Sequence, residues 1–186
     1  MNELTYFMTP SALNHLAQLV GTRWECVGTS GTIIKNLITC PALIVTSEIA
    51  VALTIQDNEV LVGGEYRTLT QIYESEPDGN VEAAKKEGLV FFHGKGERVT
   101  SVSVIREELT EIAEGEETFH LLSDSGVVIA LESMVIAIQR RGFDGFDFVV
   151  NRASSPAELE YYPTERDWPM NLRVTYEYAR HLISVD

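Results

Sequence analysis

Cysteine, histidine and basic side chains are all scarce in this sequence. Cys26 and Cys40 are the only two cysteines among 186 residues. Two thiols build neither a disulfide framework nor a four-ligand zinc site, and they read as reduced, buried thiols. The four histidines, His15, His93, His120 and His181, show no i, i+4 pair and no cysteine or carboxylate at ligand spacing, so neither a metal nor a cofactor is expected. Lys and Arg number 14 against 28 Asp and Glu, a formal net charge of −14. Phosphate contacts need clustered cations, so nucleic acid is not the expected partner, whereas a basic protein is electrostatically favoured. Long apolar runs are missing too. The longest, Ala42 to Ile55, is broken by Thr46, Ser47 and Glu48, short of the roughly 20 apolar residues of a membrane span. Met1 to Met8 lacks the basic start of a secretory signal, which makes the cytoplasm the expected location, away from membranes.

What is present is the composition of a folded chain, 45% hydrophobic and 23% charged, long enough for one compact domain over 1–186. Thr9 can cap a helix, Pro10 suits its first position, Leu13, Leu16, Ala17 and Val20 share one face, and Gly21 follows. These features predict a helix over 10–20. The remainder has strand composition, in short β-rich runs at 32–38, 42–46, 49–55, 60–62, 66–73, 89–93, 99–105, 118–122, 127–131, 134–139 and 146–150, punctuated by turn formers. Asp57-Asn58 and Asp124-Ser125-Gly126 read as turns, 75–88 as a loop with a short helix from Val81, and alternation at 172–178 as a final strand, although Leu172, Tyr176, Ala179 and Ile183 also suit a helix. Runs such as Ile49–Ile55 and Val127–Leu131 show few polar positions, so they are expected to be central strands covered on both faces, by an opposing sheet, the helix or a second copy of the chain.

A shift of 85 residues lays 44–53 over 129–138, with Ile44 on Ile129 and Ala52 on Ala137. The expected fold is therefore mainly β, a β-rich α+β chain: an antiparallel sandwich or half-open barrel with an N-terminal helix. Two possibly duplicated β-meanders, pseudo-repeats 22–79 and 89–152, would be followed by a C-terminal segment 153–186.

No constellation specifies a reaction. His120 stands near Asp124 and Ser125, and His93 lies in His93-Gly94-Lys95-Gly96. They are the weak catalytic candidates for a hydrolase or transferase with a His/carboxylate site. Against this, Asp-Ser-Gly is ordinary turn chemistry, and His-Gly-Lys-Gly has neither the spacing nor the following helix of a phosphate loop. Phe143-Asp144-Gly145-Phe146-Asp147 reads as a turn that returns one Phe to the core, beside Arg140-Arg141. Aromatics in 158–170 suit an interface or a cap over the sandwich.

The densest charge feature holds Glu107, Glu108, Glu111, Glu114, Glu116 and Glu117 within eleven residues and no base. Mutual repulsion predicts a solvated strand end and loop, which could serve as a face for a basic partner. The sequence thus points to a non-enzymatic acidic cytosolic binding protein, immunity- or inhibitor-like. A His/carboxylate enzyme and a homodimeric structural or small-ligand-binding β-module stand as alternatives.

Overall fold

The computed structural model describes residues 2–62, 65–77, 81, 86, 90–163 and 174–185. After strand β1 (Asn2–Tyr6) comes the single long-enough helical stretch of the N-terminal region, α1 (Pro10–Ala17). The Thr9 hydroxyl accepts from the Ala12 amide at 3.2 Å, and Pro10 occupies the first turn, where its missing N–H costs nothing. The helix stops short of the expected Val20, because Leu19 and Val20 bond back to Leu16 and Ala17 in tighter turns.

Twelve further strands follow: β2 (Trp24–Gly28), β3 (Ile33–Ile34), β4 (Leu37–Thr39), β5 (Ala42–Thr46), β6 (Ala50–Val62), β7 (Glu65–Ser75), β8 (Val90–His93), β9 (Val99–Ala113), β10 (Glu116–Leu131), β11 (Val135–Arg140), β12 (Asp147–Ala153) and β13 (Val174–Ser184). They form two sheets, ordered β13-β9-β10-β11-β12-β4-β3 and β7-β6-β5-β2-β8. All pairings are antiparallel except that of β1, which runs parallel to β10. The fold is mainly β, and among the described residues neither sheet closes into a barrel. No described helix is long and apolar enough to cross a membrane.

The larger sheet contains the meander β9-β10-β11-β12 and the smaller the meander β5-β6-β7, beside which β2 pairs with β5 after β3 and β4 have joined the larger sheet. Ile44 pairs with Val51, and Ile129 with Ile136, so the two hairpins share one register at the 85-residue offset. Each closes with the same amide-to-carbonyl bond, Thr46 to Ile49 at 3.0 Å and Leu131 to Met134 at 2.7 Å. Strands β6 and β10 are central, as their two-sided apolarity requires.

The main core joins Ile44, Leu53 and Ile72 of one sheet to Val104, Ile129 and Ile138 of the other, with Leu16 and Leu19 closing it. On the outer face of the larger sheet, Ile105, Val128, Val135 and Ala137 are covered by Leu159 and Tyr161. On that face the cover comes from the segment expected to cap the sandwich; its residues 164–170 lie outside the described residues. Most of the short helix expected from Val81 also lies outside them.

Two expected turns are strand interior. Chain 50–62 runs straight through Asp57-Asn58, and β10 runs through Asp124-Ser125-Gly126. There the β9 register skips a residue, Arg106 facing Asp124 and Ile105 facing Gly126. This is a β-bulge, which uses the same small residues as a turn. A Cβ on Gly126 would sit 2.2 Å from the Ile138 carbonyl oxygen, so glycine permits β10 and β11 to meet. Beyond the bulge β11 ends, and β1 takes the vacated edge of β10, pairing at residues 119–123. The long β9–β10 hairpin therefore has two tiers, one in the sandwich and one flanked by β1 and β13.

Candidate functional site

The six glutamates lie in the second tier, and the structure divides them. Buried positions on β9 change parity after Val104 and then alternate as Ile105, Glu107, Leu109 and Glu111. The segment is thus not the solvated run expected from its charge, because cations and phenols from distant strands meet half of that alternation. Glu107 is fully buried. Its Oε1 accepts from Gln139 Nε2 at 2.8 Å, the Tyr178 hydroxyl at 2.6 Å and Arg180 Nη2 at 3.1 Å. Glu111 accepts from the Thr118 hydroxyl at 2.9 Å and the Tyr176 hydroxyl at 3.0 Å, and Arg67 Nη1 lies 3.2 Å away. Burial, and then the Glu111 carboxylate, push the Tyr176 phenol up from its ordinary pKa. Glu107 and Glu111 are therefore removed from the candidate partner face.

Beside them Arg140 is fully buried. It donates to the Thr70 carbonyl and, at 3.3 Å, to the Ser123 hydroxyl. Burial draws its pKa down to about 10, with Glu107 the foremost group opposing that shift, so it stays charged near neutrality. Arg141 instead reaches Asp147 at 3.5 Å beside a cavity of about 440 Å³. In the same turn Phe143 returns to the core while Phe146 stays exposed.

The catalytic candidates are dispersed. Asp124 is fully buried and accepts from the Met8 amide and from Arg106 Nε, both at 2.8 Å. Ser125 is buried, its hydroxyl donating to the Ile105 carbonyl at 3.4 Å. His120 turns to Glu108, with Nε2 2.9 Å from Oε1, and His181 Nε2 lies 3.4 Å from the other oxygen. These contacts, the His120 hydrogen bond first, hold the Glu108 carboxyl below its usual range. His93 belongs to the other sheet, its backbone paired with Cys26. Among the described residues no group of three or more His, Cys, Asp or Glu is arranged to hold a metal ion.

Glu114, Glu116 and Glu117 remain exposed at the β9–β10 tip. The reversal runs through Glu114 and Gly115, with φ of +54° and +86°. The Arg67–Glu111 pair brings the end of the β6–β7 hairpin to the same region. There Leu61 is 52% and Tyr66 78% exposed, and Glu59 is exposed beside them. Sequence reading missed Arg67 and Arg180 as partners of the glutamates. The signal available was Tyr176-x-Tyr178-x-Arg180, whose alternation puts two phenols and a guanidinium on one strand face.

Compared with known proteins, the chain matches no family model, no curated protein and no solved structure.

Proposed function

We propose that this chain is a non-enzymatic, cytosolic binding protein that docks a basic protein segment on the end formed by the β6–β7 and β9–β10 tips. One observation carries the reading: exposed Glu114, Glu116 and Glu117 stand at the end where Tyr66 and Leu61 are also exposed. An ion pair between the partly exposed Arg67 and the buried Glu111 links the two hairpins there. Carboxylates and an exposed aromatic at one end of the fold favour a partner that carries lysine or arginine together with an apolar residue. The net charge of −14 steers such a partner from a distance, with an association rate that falls as salt rises. Covering the partner's basic surface is how an immunity or inhibitor protein of this kind would act.

The test is the affinity of a fluorescent peptide of alternating lysine and leucine for three forms of the full chain. The combined Glu114→Gln, Glu116→Gln and Glu117→Gln variant is expected to bind about tenfold more weakly, the equivalent of about 1.4 kcal/mol. A control with Glu25→Gln, Glu48→Gln and Glu160→Gln changes net charge equally and is expected to keep the wild-type affinity. Equal losses in the two variants would reduce the binding to bulk charge and sink the docking site.

A further inference from the structure

A second opening lies between the sheets, far in character from the acidic end. It is a cavity of about 340 Å³ lined by Asn36, Phe92, Ile136, Val150, Asn151 and Arg152, within the size range of small-ligand pockets. Three elements meet there. Strand β8 contributes Phe92, packed against the main core; β11 and β12 contribute the buried Ile136 and Val150; and the turn between β3 and β4 contributes Asn36. The floor is thus apolar and continuous with the sandwich interior.

Its rim is polar and positive. The Arg152 guanidinium carbon lies 5.2 Å from the centre of the Phe92 ring, an aromatic face that steadies a cation without neutralising it. Among the described residues no carboxylate lies within ion-pair distance of Arg152, whereas Arg67, Arg106, Arg141 and Arg180 each have one. Arg23, Arg98 and Arg140 likewise have no carboxylate at that distance, but Arg140 is buried, and of the four only Arg152 lines this cavity. Asn36 Nδ2 donates to Asn151 Oδ1 at 3.0 Å, and Asn151 Nδ2 donates to the Glu160 carbonyl at 2.8 Å, which fixes both amides at the rim.

We propose that this mouth binds a small monocarboxylate with an apolar tail, the carboxylate on Arg152 and the tail over Phe92, Ile136 and Val150. The planar guanidinium fork matches a carboxylate with two parallel hydrogen bonds. The apolar floor supplies affinity for the tail, and the surrounding negative charge disfavours ligands of higher charge.

The experiment is titration of the full chain with octanoate, followed by calorimetry and by methyl NMR of isoleucine and valine. Saturable shifts at Ile136 and Val150 are expected. Arg152→Gln should weaken octanoate at least tenfold, and Arg152→Lys, which keeps the charge but loses the fork, by a smaller factor. Octanol should bind the wild-type chain no better than octanoate binds Arg152→Gln. Arg152 is exposed, so circular dichroism should show both variants folded. Absence of saturable shifts, shifts confined to other residues, or undiminished binding by Arg152→Gln would each overturn the proposal.

Discussion

Arg180 on β13 holds its guanidinium 3.1 Å from the carboxylate of Glu107 on β9, a residue 73 positions away in sequence. Glu107 has no solvent contact, whereas the Arg180 side chain keeps about a fifth of its own. Removing one member of such a pair costs far more than the pair's net worth, because the survivor stays buried. Arg180→Met is expected to destabilise the fold by about 3 kcal/mol, the low end for broken buried pairs, read from the urea midpoint at constant m. A loss below 1 kcal/mol would mean that Gln139 and Tyr178 satisfy the carboxylate without the arginine.

The β-bulge makes a prediction about backbone proximity. Gly126→Ala sets a methyl 2.2 Å from the Ile138 carbonyl oxygen and 2.7 Å from Gln139 Cα, neither of which can move without parting β10 from β11. Gly115→Ala meets nothing within 4 Å but must hold φ near +86°. The hairpin-tip variant should lose about 1 kcal/mol, from the left-handed backbone alone, and the bulge variant more than twice that. Thermal unfolding of the two, side by side, checks the order.

Packing of the helix is testable in the same way. Leu16 is wholly buried in the main core, while Val20, which a continuous helix would set on the same face, is 43% exposed. Leu16→Ala is expected to cost about 2–5 kcal/mol through the cavity it leaves, and Val20→Ala under about 0.5 kcal/mol. Denaturant titration that found equal losses would place both side chains in the core.

Glu108 gives the pH dependence its sign. Hydrogen bonds from His120 and then His181 lower its folded pKa, so the folded form releases this proton more readily than the unfolded chain. The resulting stability is complete above the unfolded carboxyl value, about 4.3, and is lost as pH falls through the folded value. Urea midpoints between pH 3 and 6 should therefore fall with acid, and Glu108→Gln should flatten that slope. An unchanged slope in the variant would assign the acid sensitivity to other carboxylates.

Much of the architecture is legible locally. Thr9 and Pro10 start the helix as read, because capping is settled by neighbouring backbone. Strand 42–46 appears at its expected bounds, and the overlay of 44–53 on 129–138 matches the register of two real hairpins, since period and loop length fix register together. Asp124-Ser125-Gly126 misleads because small, flexible residues serve a bulge as well as a turn, and only the partner strand distinguishes them. The first strand escaped notice because its partner is residue 119 onward, more than a hundred residues away.

The candidate site was less legible. Composition located the glutamate run but took all six for solvated groups, Glu107 and Glu111 included. Their burial depends on Arg180 and Arg67, contributed by strands that join the region only on folding. The cavity at Arg152 draws on residues from 36 to 152 and leaves no local pattern.

The sequence by itself determined the β-rich class, the helix start and the excess of negative charge, because these follow from side-chain period, local capping and composition. Tertiary structure alone decided which charges are neutralised inside and which face water. Burial of an ion is set by the distance to its counter-ion and by solvent exclusion, and neither exists until strands remote in sequence are packed side by side.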